Sequence, residues 1–136
     1  MNWMAFVAEN ALLVGMLGAF VIALIMVESR RGGEQLSHHE VTRLLNSNTA
    51  VALDVRDKKD YQAGHIAGAL NIPFAKLKDG LNQLEKHKSK TVVVIDKMGQ
   101  HTSAAVTTLT TGGYDAKRMR GGMMDWKGQN LPVVKS

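Results

Sequence analysis

The chain has no cysteine. Without a thiol it can build no disulfide framework, no zinc–thiolate site and no cysteine nucleophile. Aromatic residues make up only 5% of the composition, and no Arg/Lys cluster is interleaved with them. The pattern that stacks on bases while gripping phosphates is therefore missing, and no nucleic-acid partner is expected. There is no Walker loop, no HExxH pair and no Ser-His-Asp arrangement, so the common routes to phosphoryl transfer, zinc hydrolysis and acyl transfer are closed. Internal repeats and low-complexity tracts are absent as well. No Lys or Arg precedes Arg30.

What is present is unevenly spread. Ala11 to Val27 is a run of 17 residues without a charge, at the short end of the roughly 17–25 that span a bilayer. Trp3, Met4, Phe6 and Val7 extend it, and an indole at Trp3 suits the headgroup interface. A cleaved signal peptide calls for a basic segment ahead of the run; here Glu28-Ser-Arg-Arg31 follows it instead. The pattern predicts one transmembrane helix over 1–28, a short linker over 29–36 with a flexible joint at Gly32-Gly33, and a domain over 37–136. Arg30 and Arg31 place the domain in the cytoplasm and the N-terminus outside. Gly15 and Ala19 form a small-xxx-small pair of the kind that packs membrane helices, although small residues are common in such helices.

All 17 Lys and Arg but only ten of the 12 Asp and Glu follow residue 28, so the remainder of the chain carries +7. Beside an anionic leaflet each basic residue near the surface is worth up to about 1 kcal/mol of attraction. The bilayer, and other membrane or membrane-associated proteins, are the expected partners.

From Ser37 the pattern alternates. Ser37-His-His-Glu40 is a capping box that opens a helix through Leu44 and Leu45. His38 and His39, adjacent on its first turn, read as solvated rather than as metal ligands. The apolar run at 51–55, broken by one acid, and the run at 91–95 predict strands buried on both faces, and 69–72 and 116–119 predict two further short strands. Between them, helices are predicted over 79–86, with Asp79 as N-cap and Leu81 and Leu84 inward, over 102–111, closed by Gly112-Gly113, and over 124–128. Leu131 to Val134 packs the tail. Strands alternating with helices predict an α/β fold, a parallel sheet covered on both faces.

In such a sheet, sites form beyond the C-terminal strand ends. The strand Thr91–Ile95 leads into Asp96, Lys97, Met98, Gly99, Gln100, His101 and Thr102, and then into a helix. Gly99 permits a positive φ, so loop N–H groups can converge as an anion nest.

Two flanking segments give the loop a context. Leu53-Asp-Val-Arg56 with Tyr61-Gln-Ala-Gly-His-Ile-Ala-Gly-Ala-Leu-Asn-Ile-Pro73 resembles the N-terminal signature of rhodanese domains. Gly121-Gly-Met-Met-Asp-Trp126 with Leu131-Pro-Val133 resembles their C-terminal signature. The resemblance covers residues 37–134, and with the apolar run added the chain is similar to membrane-anchored, single-domain bacterial members of that family. It implies a rhodanese-like sheet, a bacterial inner-membrane location, no cofactor and no metal.

The resemblance also implies a catalytic loop Cys-x-x-Gly-x-Arg-Ser/Thr, where the cysteine carries sulfur as a persulfide. Here Gly99 and Thr102 match, Asp96 stands at the cysteine and His101 at the arginine. A carboxylate cannot form an S–S bond, and histidine is mostly neutral at pH 7. Two readings of Asp96 stand: a built-in anion that occupies the pocket, and an ordinary N-cap. His65 resembles a residue that ties loops together. Asp54 and Arg56 read as a hydrogen-bonded scaffold pair, Trp126 as core, and Met98, Met119, Met123 and Met124 as either a cluster at the loop mouth or core filling. The expected function is a binding or regulatory module without sulfurtransferase activity. The alternatives are sulfur handling with a partner's cysteine, or hydrolysis of an anionic ester by Asp96 and His101.

Overall fold

The computed structural model describes residues 2–31 and 33–135. The chain divides into two compact units at Arg30/Arg31. Gly32, half of the joint expected from the sequence, lies outside the described residues.

The first unit is two helices, α1 (Trp3–Glu9) and α2 (Ala11–Arg31). Asn2 Oδ1 caps α1 by accepting from the Met4 and Ala5 amides at 3.1 and 3.4 Å. At Asn10 the backbone leaves the helical region (φ −114°, ψ 28°), and its side-chain amide donates to Phe6 O at 2.8 Å. That local hydrogen bond competes with the helix ladder, and the two helices meet at 88°. The sequence predicts one continuous helix here; the structure breaks it. Large apolar side chains from Trp3 to Val27 are exposed on all sides of both helices. Among the described residues no single helix is long and apolar enough to cross a membrane, while the bent pair passes by length and composition.

The second unit is a five-stranded parallel sheet in the order β1-β5-β4-β2-β3, made of β1 (Gln35–Leu36), β2 (Ala50–Asp54), β3 (Leu70–Asn71), β4 (Thr91–Ile95) and β5 (Ala116–Met119). The register pairs Ala50 with Thr91 and Asp54 with Ile95, so β2 and β4 end level with each other. Side chains alternate across a strand. Val51, Leu53, Val92 and Val94 therefore face one side, where they meet Val106 and Leu109 of α5 (Thr102–Thr111) and the buried Leu84. Ala50, Ala52, Val93 and Ile95 face the other side. There they meet Val41 of α3 (His38–Asn46) and Met123 and Trp126 of α6 (Gly122–Gly128). Both faces are covered, which is why the central strands β2 and β4 read as nearly unbroken apolar runs. Each large aliphatic side chain buried this way contributes about 1.5–3 kcal/mol relative to exposure.

Ser37 and Glu40 form the capping box of α3 with both reciprocal bonds present. Leu81–His87 is a 3₁₀ helix with Gly80 before it and no side-chain cap, not the Asp79-capped α-helix expected. Leu84 is nonetheless fully buried and Leu81 packs against the core. Two elements had no clear sequence signal: β1, and α4 (Lys58–Ala63).

His38 departs from expectation. It is buried rather than solvated. Its Nε2 lies 3.0 Å from Arg120 O and 3.3 Å from Asp125 Oδ2, and its ring meets Trp126 edge-on at 5.7 Å. A carbonyl only accepts, so Nε2 carries the proton. The side chain ties α3 to the end of β5 and to α6, a long-range link that α3 alone cannot reveal. His39 is exposed.

Candidate functional site

The site forms where β2 and β4 end. After β4, Asp96 turns inward and is 5% exposed. Its Oδ2 accepts from the His101 amide at 2.9 Å, which closes the loop on its own carboxylate. The Thr102 hydroxyl donates to Gly99 O at 2.9 Å, and Gly99 holds φ +89°. Asp96 is thus not the N-cap of α5. That position belongs to His101, which makes no side-chain cap bond. Asp96 Oδ1 makes no hydrogen bond among the described residues without being sealed from solvent, and Asp96 lines the pocket beneath the loop.

The loop backbone is also held from the far side. Asp96 O accepts from the Met123 amide at 2.8 Å and Lys97 O from the Met124 amide at 2.9 Å. These bonds require the turn into α6 to approach closely. A Cβ at Gly122, where φ is +63°, would run into Asp96 O and lie 2.6 Å from Lys97 O. Only glycine fits there.

At the end of β2, Arg56 folds back on Asp54. Nη2 donates to Oδ2 at 2.7 Å and Nε to Oδ1 at 3.0 Å, while Nη2 also reaches Gly64 O at 2.8 Å. Both residues are buried. Asn71 bridges Asp54 O and Arg56 O at 3.0 and 2.9 Å. His65 Nδ1 lies 2.8 Å from Tyr61 O, its ring stacks on Tyr61 at 3.8 Å, and its backbone pairs with Val134. Trp126 is core, with Nε1 donating to Pro132 O at 3.0 Å. The four methionines split: Met119 and Met123 are buried in the core, whereas Met98 and Met124 are exposed.

Between the two strand ends lies a pocket of about 290 Å³. Val55, Arg56, Asp57 and Asp60 line one side, Phe74 and Ala75 a second, and Asp96, Lys97, Gln100 and His101 the third. The His101 ring stacks on Phe74 at 4.7 Å. Asp57 occupies the N-cap position of α4 without a side-chain cap bond, so its carboxylate is not engaged by the helix. Sequence reading had found the 96–102 loop and missed Asp57, Asp60 and Phe74. The available signal was position: Asp57 and Asp60 follow directly from a strand whose C-terminal end faces the site. No group of three or more His, Asp or Glu among the described residues is placed to hold a metal ion.

The fold, the loop and the glycine turn agree with one sequence profile. That of the rhodanese-like domain matches residues 37–129. The chain belongs to the rhodanese-like family. It is 36% identical to YibN of Escherichia coli (strain K12) over 102 residues, covering 74% of this chain and 71% of that one. It is 32% identical to a protein named thiosulfate sulfurtransferase GlpE from Coxiella burnetii (strain RSA 331 / Henzerling II), over 69% of this chain and 87% of that one. In structure it matches a rhodanese-related protein from Thermoplasma volcanium at TM-score 0.69 and 27% identity, covering 76% of this chain and 99% of that one. This rhodanese-like domain is thus related to sulfurtransferases while carrying Asp96 at the head of its loop and no cysteine anywhere.

Proposed function

We propose that the chain is a membrane-anchored rhodanese-like protein that works as a binding module rather than as a sulfurtransferase. The observation that carries this reading is the Asp96 carboxylate at the head of the loop, bonded to the His101 amide. Sulfur transfer on this fold needs a thiolate that attacks a donor and holds the transferred sulfur as a persulfide. A carboxylate oxygen cannot form that bond, and the carboxylate already supplies negative charge where an anionic donor would settle. The loop keeps its architecture through Gly99, Thr102 and the two amides of α6. What remains is a shaped, partly enclosed pocket without a thiolate, which suits recognition.

The bent, predominantly apolar helix pair at the N-terminal end supports anchoring. The two arginines after it favour a cytoplasmic domain, and the +7 balance of the rest of the chain favours residence beside an anionic leaflet. Partners are then other proteins at that surface.

The test is a thiosulfate:cyanide assay on the detergent-solubilised full chain beside Asp96→Cys. The expected result is no turnover for the wild type and measurable thiocyanate from the variant. Turnover by the wild type refutes the reading. Topology is tested separately. Because the chain has no cysteine, a single cysteine placed at Asn2 or at Lys135 reports its side of the membrane by impermeant maleimide labelling. Labelling at Asn2 alone in intact spheroplasts is expected; labelling at Lys135 alone reverses the orientation.

A further inference from the structure

We infer that the pocket under the loop takes a cation, the guanidinium of an arginine side chain presented by a partner polypeptide. This inference rests on the binding-module reading and gives it a ligand chemistry.

The sign of the pocket follows from which charges are already paired. Arg56 is committed to Asp54 through a two-point contact at 2.7–3.0 Å, so that pair is neutral toward a ligand. Three carboxylates then line the pocket, those of Asp57, Asp60 and Asp96, against the single exposed ammonium of Lys97. In a chain whose remainder carries +7, this is a local reversal of sign. Acidic residues on a surface are ordinary, but Asp96 is not on the surface. It is 95% buried, being 5% exposed, and only Oδ2 has a partner. Oδ1 has no protein partner and is not sealed from solvent, since Arg118 Nε is the one buried side-chain atom without a partner among the described residues. A charged donor entering the pocket can replace the water that meets Oδ1.

Shape narrows the cation. About 290 Å³ admits one side-chain head with a few waters, not a folded ligand. The stacked rings of Phe74 and His101 line it, which suits a flat guanidinium better than a compact ammonium. A guanidinium also answers several carboxylate oxygens at once through fixed N–H donors. A polypeptide source is favoured over a free amine because apolar surface adjoins the opening. Met98 and Met124 are 48% and 60% exposed, and Met124 shares a neighbouring hollow with Asp60 and Lys97. Exposed methionines give an adaptable apolar contact for the residues flanking the arginine.

The experiment is a calorimetric titration of the full chain in nanodiscs with the peptide acetyl-Gly-Leu-Arg-Leu-Gly-amide, its citrulline and glutamate counterparts, and free arginine amide. The arginine peptide is expected to bind and to weaken as salt rises, with free arginine amide weaker and the citrulline and glutamate peptides silent. Asp96→Asn keeps the acceptor for the His101 amide and removes the charge. It is expected to weaken the arginine peptide roughly tenfold, the worth of one charge-assisted hydrogen bond. Asp57→Asn/Asp60→Asn, at exposed positions that leave folding intact, is expected to weaken it by a smaller factor, and Lys97→Gln to tighten it. Equal or better binding of the citrulline or glutamate peptide overturns the cation inference and leaves the binding-module reading standing. Silence of all four ligands overturns it as well. Thiocyanate production by the same wild-type preparation overturns the binding-module reading itself, whatever the titration shows.

Discussion

Two buried carboxylates stand side by side at the ends of neighbouring strands, and they have opposite fates. Asp54 ends β2, is 1% exposed, and has both oxygens answered by Arg56. Asp96 follows β4, is 5% exposed, and has one oxygen answered by a loop amide and the other left facing a pocket. The first is closed by an ion pair that also fastens Gly64 O. The second is held in place by backbone alone and remains chemically open. Residue type and burial are the same in both; the difference is whether a cation lies within reach along the chain. Arg56 sits two residues after Asp54, whereas Asp96 has no arginine or lysine beside it that turns inward. Completeness of pairing, more than burial, separates a scaffold acid from one that can meet a ligand.

The contrast can be broken most forcefully at the closed end. Arg56→Ala leaves Asp54 charged in the interior with only the residue-56 amide to meet it and is expected to cost about 3–5 kcal/mol of stability, read as a lowered urea midpoint. A cost near zero shows the pair to be peripheral. Next comes the backbone that holds the open end. Gly122→Ala places a methyl against Asp96 O and Lys97 O at a positive φ. It is expected to cost about 2–4 kcal/mol through strain and lost loop bonds. Amide exchange at Met123 and Met124 should then accelerate, whereas unchanged exchange shows that the loop moved without losing those bonds. Asp96→Ala should be mild, about 1 kcal/mol. It deletes the bond to the His101 amide, but the carboxylate it removes is an acid whose other oxygen is open to the pocket rather than tied to the fold. A loss as large as that of Arg56→Ala erases the distinction between the two acids.

The smallest effect lies away from both acids and is a matter of pH. Partial burial, followed by the nearby Lys86 and Lys90 ammonium groups, holds the His87 imidazole below its usual value. The unfolded chain therefore keeps this proton to higher pH than the folded chain does. The stability contribution is fully present above the ordinary histidine value of about 6.5 and is lost as pH falls through the lowered folded value. His87→Gln is expected to flatten the slope of the urea midpoint between about pH 5 and pH 8. An unchanged slope assigns it to other groups.

Much of this architecture was legible from residue pattern. The strand at 91–95 lies where its apolar run placed it, because a strand buried on both faces admits little but Val, Ile and Leu, and the helix at 102–111 and the strand at 116–119 lie between the turn residues that bound them. The Ser37/Glu40 box is a local interaction and was readable as one. Illegible were the features that depend on residues far apart in sequence. The segment at 81–87 winds as 3₁₀ rather than α to seat Leu84 while Tyr114 donates to Leu81 O at 2.7 Å. His38 is buried because Arg120, 82 residues on, offers its carbonyl. Met123 and Met124, adjacent on α6, sort into core and surface because they take opposite sides of its first turn.

Sequence alone determined the family signature, the alternation that yields a parallel α/β sheet, and the exclusion of persulfide chemistry on this chain. These depend on residue identity and short spacing, which folding does not alter. Only the tertiary structure decided which charges cancel. It paired Arg56 with Asp54, brought Asp57, Asp60 and Asp96 to the lining of one pocket, and left one Asp96 oxygen without a protein partner. Coulomb interactions and hydrogen bonds fall off over a few ångströms, so the sign of the site depends on distances that appear only when the ends of β2 and β4 come together.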